Sequence, residues 1–326
     1  MKDPARAQTD EWLKELERRI RSEYKQAQKE ITVKWNAYMK NGEEKLSALY
    51  DAYKNAPDGE KRKAKEAYQR ALKDYTLQNQ RFKEMERDTA YRIANVNQIA
   101  IDYVNGRLPD IYAVNYNYKS PEMVKLGIDF TLVDEDTIRR MIERGEVKLP
   151  KRKLNIPKDM QWNRKKMNSA ILQGILQGES IPDIAKRLLP IIDQNRNAAI
   201  RNARTLVTGA ENGGRNDRYK RLEDDGVIMY KMWSATGDGR TRDWHLSMDG
   251  QEVPADDVFV DGLGNELEYP GDPGGEPETV YNCRCSMRGV PKGIRGSSGK
   301  ITWFNVPQHN GLHQQEIKDE RERRGV

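Results

Sequence analysis

Residues Glu11–Tyr38, EWLKELERRIRSEYKQAQKEITVKWNAY, decide the fold class. Leu13, Leu16, Ile20, Tyr24, Ala27, Ile31, Trp35 and Tyr38 recur at steps of three and four, which places them on one stripe of a helix. No proline interrupts before Pro57, and the stripe resumes at Leu46, Leu49 and Tyr53, with Asn41-Gly42 as the expected break or kink. Ala56-Pro57-Asp58-Gly59 is a turn signal. A second stripe follows through Ala64, Tyr68, Ala71, Tyr75, Phe82, Thr89, Ile93, Val96, Ala100 and Val104. Two stripes joined by a short turn predict a long antiparallel helical hairpin over residues 1–105, a docking arm or spacer. Its seam uses Tyr, Trp and Ala where a tight coiled coil uses Leu and Ile, so tyrosine hydroxyls need partners there.

Composition agrees with thin helices. The chain has 326 residues, is 33% charged and only 36% hydrophobic, and has a mean hydropathy of −0.95. Long helices bury a narrow stripe and expose the rest. No apolar run reaches the ~20 residues of a membrane span, and the opening MKDPARAQTDEW lacks the apolar core of a secretory signal. Two cysteines cannot staple a secreted fold of this size, so folding in a reducing cytoplasm is expected.

Charge then divides the chain. Residues 1–105 carry net +4, 106–225 net +6, 226–290 net −7 and 291–326 net +3. The predicted organisation is mainly α with α+β character: the hairpin, a central helical region over 106–225, a small loop-rich α/β module over 226–290, and a tail. Within the central region, helices are expected over 134–144 and 162–177. A third, over 183–189, is capped by Ser180 and ends at Pro190, and another runs from 195 to about 224. The densest basic stretch, Arg139–Lys166, includes Lys151-Arg152-Lys153 and Arg164-Lys165-Lys166 and would attract phosphate without reading sequence. A solvated helix face explains the same charges. Gly209 to Arg215 lacks the Gly-Lys-Ser/Thr ending of a phosphate loop, so its small residues suggest a tight helix crossing or a break in the helix.

The acidic module begins with an apolar strand pattern, Val227–Ala235, and a turn at Thr236-Gly237-Asp238-Gly239. The glycines and prolines of 261–277 predict an irregular surface loop. The only two cysteines, Cys283 and Cys285, stand two apart, with His245 upstream. Extended Cα atoms at that spacing lie about 6.6 Å apart, so a disulfide would be strained. Two thiolates and an imidazole are good ligands for a structural zinc, with Asp243, Asp249 or water as the fourth. Two reduced packing cysteines are the other reading. In the tail, His309 and His313 share a metal-compatible spacing, which chance explains. The run from Lys318 to Arg324 is expected to be a mobile end or a partner-dependent helix.

Three segments resemble the phage head morphogenesis proteins of the Mu F type, the minor head proteins. The first is Gln177-Gly178-Glu179-Ser180-Ile181 with Ile184-Ala185, and the second is Ala203-Arg204-Thr205 through Asn212 with Tyr219. The third runs from Trp233 through Asp238, Arg240-Thr241-Arg242, His245, Asp249-Gly250 and Tyr269-Pro270-Gly271-Asp272-Pro273 to Asn282-Cys283-Arg284-Cys285. The resemblance covers about 160–290. It implies a virion component of few copies, made in the host cytoplasm. Its partners would be the portal, capsid or scaffold proteins and, non-specifically, double-stranded DNA, with no membrane and no small-molecule substrate. It implies no enzyme. One departure is Leu206, where members often carry an acid after the Arg-Thr pair. The alternative is a zinc-dependent nuclease or peptidase centred on His245, but no His-Glu-x-x-His motif accompanies it.

Overall fold

A computed structural model describes residues 3–305, 319 and 322–324. His309 and His313 lie outside the described residues, as do Lys318, Glu320 and Arg321 of the closing run. The fold is mainly helical with a small antiparallel sheet. Its two compact units interleave along the chain: one comprises 17–102 and 153–200, the other 1–16, 103–152 and 201–326. Three long helices, α1 (Pro4–Asn55), α3 (Gln80–Tyr116) and α8 (Leu189–Asp224), supply residues to both.

The first unit contains the antiparallel pair. α1 is one helix of 52 residues, while the return arm is two, α2 (Asp58–Tyr75) and α3. Contacts run in opposite directions along the arms: Tyr24 hydrogen-bonds Asn97, Trp35 Nε1 donates to Thr89 Oγ1 at 2.9 Å, and Tyr38 stacks at 4.9 Å on Tyr75. The tyrosine hydroxyls find partners, Tyr38 donating to the Tyr75 carbonyl at 2.6 Å and Tyr75 to the Tyr38 carbonyl at 2.8 Å. The expected break at Asn41-Gly42 does not occur. Gly42 instead leaves room for the Tyr75 ring, whose Cε1 would stand 2.4 Å from a Cβ there.

α6 (Ile156–Gln177) and α7 (Ile181–Lys186) complete this unit with the start of α8. α6 starts six residues earlier than its apolar pattern because Asn155 caps it and Pro157 fits its first turn. Gly178, left-handed at φ 72°, closes it, and Ser180 caps α7. Pro190 does not end a helix as expected but sits in the first turn of α8, where its missing N–H costs nothing. A polar network crosses the interior: Asn97 Nδ2 donates to Asp159 at 2.7 Å and Asn195 at 3.0 Å, and Asn195 Nδ2 to Asn163 Oδ1 at 2.8 Å. With every member partnered, it fixes the register of α3, α6 and α8.

The second unit is built on α8. The sheet has strand order β2-β1-β5-β6, with β1 (Val227–Ser234), β2 (Glu252–Pro254), β5 (Ser286–Arg295) and β6 (Ile301–Trp303), all pairs antiparallel. β5 runs past 290, with Pro291 accommodated opposite a register shift between Ile228 and Met229. Within the expected irregular loop, β3 (Phe259–Val260) and β4 (Glu266–Leu267) pair as a short hairpin. α4 (Pro121–Lys125) and α5 (Glu135–Glu143) precede α6, and α9 (Asp243–Ser247) and α10 (Pro277–Val280) lie in the acidic module. One core gathers Met229, Trp233, Leu246, Phe259, Leu267, Cys283, Cys285 and Met287.

The helix does not break at Gly209–Gly214; its glycines serve close crossings. A Cβ on Gly214 would stand 2.6 Å from the Tyr112 carbonyl oxygen, and one on Gly209 would stand 2.8 Å from that of Gly271. Gly214→Ala is therefore expected to cost about 1–3 kcal/mol in urea unfolding by forcing α8 from α3.

Lys231, on β1, is fully buried, with Nζ donating to Asn216 Oδ1 at 3.0 Å. Burial pulls its ammonium down to about 8, and Lys220 adds to this against Glu268, Asp256 and Asp257. The unfolded chain thus holds this proton more tightly than the folded one. The penalty is full below pH 8 and fades as pH rises toward the ordinary lysine value. Relative to Lys231→Met, the wild type should gain stability between pH 7.5 and 9.5, toward a limit on the order of 3 kcal/mol. Parallel denaturation curves across that range check the sign.

Candidate metal centre

The site forms where one face of α8 holds the chain around Cys283. Thr205 Oγ1 accepts from the Asn282 backbone N–H at 2.8 Å, and Thr208 Oγ1 donates to the Cys283 carbonyl at 2.9 Å. Asn212 takes both roles, donating to the Cys285 carbonyl at 3.3 Å and accepting from the Met287 N–H at 3.0 Å. Arg215 Nη1 donates to the Met287 carbonyl at 3.0 Å. A non-helical segment packed inside a core needs such partners for its backbone groups. Asn282, the only non-glycine described with positive φ (59°), turns the chain into this position.

These contacts bring Cys283 and Cys285 to His245 on α9. All three are buried, at 2%, 3% and 1% exposure, so the donors are closed off from solvent. Each sulfur lies 3.7 Å from His245 Nδ1, and all donor atoms lie within 4.8 Å of one another. Both thiols are free. A hydrogen bond from Cys283 holds the Cys285 thiol well below its ordinary value, with help from His245, while the same bond and burial push Cys283 well above.

The group could hold a metal ion. Zinc–sulfur bonds of about 2.3 Å and zinc–nitrogen bonds of about 2.0 Å at tetrahedral angles imply N···S edges of about 3.5 Å. The observed separations fit that edge, and two sulfurs with one imidazole suit a borderline-soft cation. The Cys285 backbone N–H faces Cys283 Sγ at 3.4 Å, an outer contact suited to a thiolate. His245 Nε2 is buried with no hydrogen-bond partner, and the ring stands edge-on to Trp233 at 5.4 Å.

Neither carboxylate considered as a fourth ligand joins the group. Asp249 Oδ1 accepts from the Ala235 N–H at 2.8 Å, and Asp243 Oδ1 meets Arg324 Nη1 at 2.7 Å. The six basic residues are all exposed, but they divide: Lys151 and Arg152 belong to the sheet-containing unit, and Lys153, Arg164, Lys165 and Lys166 to the helical one. Arg152 Nη1 donates to Asn202, and Arg164 pairs at 3.3 Å with the buried Glu86. Sequence reasoning missed Thr208, Asn212 and Arg215 as holders of the cysteine segment, although their three- and four-residue spacing on a helix was visible. It also missed the pairing of Asp238 with Arg284, described below.

The residues that meet here, from α8 to the Cys-x-Cys segment, are those whose order marks the Mu F type. The sequence profile of the Phage Mu protein F like proteins matches residues 165–288. Over that segment, the chain is similar to the Mu F-like proteins. The minor head protein GP7 of Bacillus phage SPP1 is 28% identical over 165 residues, 49% of this chain and 51% of GP7. The NAD(+)–arginine ADP-ribosyltransferase EFV of Enterococcus faecalis is 26% identical over 179 residues, 54% of this chain and 36% of EFV. The chain thus spans between about a third and a half of the length of these relatives. No solved structure matches significantly. Among the described residues, no helix is long and apolar enough to cross a membrane.

Proposed function

We propose that this Mu F-like chain is a structural minor head protein that acts in phage head assembly, docking on the portal and the inner capsid or scaffold and remaining in the virion. Its Cys/His module is stapled by one zinc ion held by His245, Cys283 and Cys285. The observation that carries this reading is what the family segments build. Thr205, Thr208 and Asn212 hold the backbone of Asn282–Met287, and the two cysteine donors they position are sealed in the core together with His245. That arrangement suits a folding staple better than a site that must admit a substrate.

The division of charge favours the helical unit as the face toward packaged DNA. It carries 27 Lys and Arg against 18 Asp and Glu, whereas the sheet-containing unit carries 30 against 33. DNA binding should therefore be sequence-independent and fall steeply with salt. Replacing Lys153, Lys165 and Lys166 with Ser should weaken it and flatten the salt slope. Co-sedimentation with portal and DNA at low salt tests the assignment, and binding to neither would sink it.

Two enzymatic alternatives have their own motive, in the metal-compatible group and in the name of the Enterococcus relative. A zinc hydrolase centred on His245 would need the imidazole or a bound water to reach substrate, yet Nδ1 faces both sulfurs of a buried group. Incubation of the metal-loaded protein with DNA, peptide or NAD+ and arginine is expected to leave all of them unchanged.

A further inference from the structure

A Cys-x-Cys pair in extended conformation projects both side chains to one face but about 6.6 Å apart at the Cα, wider than the ~3.8 Å between two sulfurs on one tetrahedral zinc, so chelation of one ion requires the residue between them to be bent and held. That residue is Arg284, and it is held at both ends. Its guanidinium forms two parallel bonds to Asp238, Nη2–Oδ1 at 2.6 Å and Nη1–Oδ2 at 2.5 Å. Its carbonyl accepts from Thr236 Oγ1 at 2.8 Å and Arg6 Nη2 at 3.0 Å. Asp238 is itself fixed, accepting from the Arg240 N–H at 3.0 Å and Thr241 Oγ1 at 3.2 Å. The turn 236–241 thus joins the end of β1 to the residue between the two ligands.

We propose that Asp238 and Arg284 form an outer-shell clamp that presets the two sulfurs for one metal ion, with Thr236 and Arg6 holding the intervening carbonyl. The inference rests on the metal reading above and goes beyond it, since the clamp residues are not ligands. A bidentate carboxylate–guanidinium pair has the planar, directional geometry that fixes a backbone segment, which a single lysine contact does not supply. Without the clamp the same three donors exist but must be organised at the moment of binding, so affinity falls while the donor set is unchanged.

The test uses the full-length, reduced, metal-free chain. Zinc affinity is measured by competition with a chromophoric chelator, and Co(II) loading reports thiolate coordination through its charge-transfer band. Asp238→Asn is expected to weaken zinc binding by about 10–100-fold and to alter the Co(II) band. Asp238→Glu, which restores the carboxylate, should recover part of the affinity. A role confined to general stability would lower the melting temperature of the metal-free protein and leave the Co(II) band as in wild type. Should Asp238→Asn fail to fold by circular dichroism, Arg284→Lys and Thr236→Val carry the same test from the other two contacts. Wild-type affinity and an unchanged band in the folded clamp variants would overturn the clamp and leave the metal reading standing. A wild type that binds neither zinc nor Co(II) would overturn the metal reading itself.

Discussion

Arg215→Ala should destabilise the protein by about 3–5 kcal/mol, read as a lower urea midpoint for the transition that reports Trp233 fluorescence. Arg215 is almost fully buried in the interior of α8. Its Nη1 meets Asp3 Oδ2 at 2.7 Å, Nε donates to Asn115 Oδ1 at 2.9 Å, and its guanidinium lies 4.6 Å from the Tyr118 ring centre. Nη2 stands 3.6 Å from Glu211. Burial already raises the Glu211 carboxyl above its ordinary value, against the pull of Arg215. Removing the guanidinium leaves Asp3 and Glu211 without their cation and frees the Met287 carbonyl beside the cysteines. The loss therefore exceeds that of an ordinary surface ion pair, which is worth under about 1 kcal/mol. Arg215→Lys should recover only part, because one ammonium cannot face this many directions.

The second large effect concerns the metal group. Cys283→Ser/Cys285→Ser should abolish stoichiometric zinc binding and lower the melting temperature of the zinc-loaded protein by more than 10 °C. Binding that occurs only in the folded state adds its free energy to folding, and thiolate zinc sites are tight. Chelator treatment of wild type should reproduce the variant's melting temperature and leave the variant's own unchanged. An equal chelator effect on both would place the metal elsewhere.

Much of the helical unit was legible because a 3.6-residue stripe is local information. Ile20, Tyr24, Trp35, Tyr68, Phe82 and Ile93 are buried as their spacing predicts. Helix ends were legible where capping chemistry is local, as at Asp134, Gly178 and Ser180. The failures came where a partner distant in sequence decides. Gly42 continues a helix because Tyr75 needs its space, and Pro190 opens a helix that the pattern had closing. The interleaved units were not legible, since three helices are shared and no composition shift marks the change.

The candidate site divides in the same way. Three potential ligands could be named from residue chemistry, but choosing among carboxylates for a fourth could not, because backbone N–H groups and arginines compete for them. Asp249 is engaged by Ala235 and Asp243 by Arg324, contacts that spacing does not encode. Nor could the sequence say that a Thr-Asn-Arg face of α8 holds the cysteine segment. Both partners lay inside the family resemblance, but only the fold joins them.

The most direct measurement is X-ray absorption at the zinc edge on reduced, tag-free, full-length protein. One zinc per chain should show two sulfur neighbours at about 2.3 Å and light-atom neighbours, including one imidazole, at about 2.0 Å. Substoichiometric metal, or a shell of nitrogen and oxygen alone, would contradict the staple and leave Cys283 and Cys285 as packing residues.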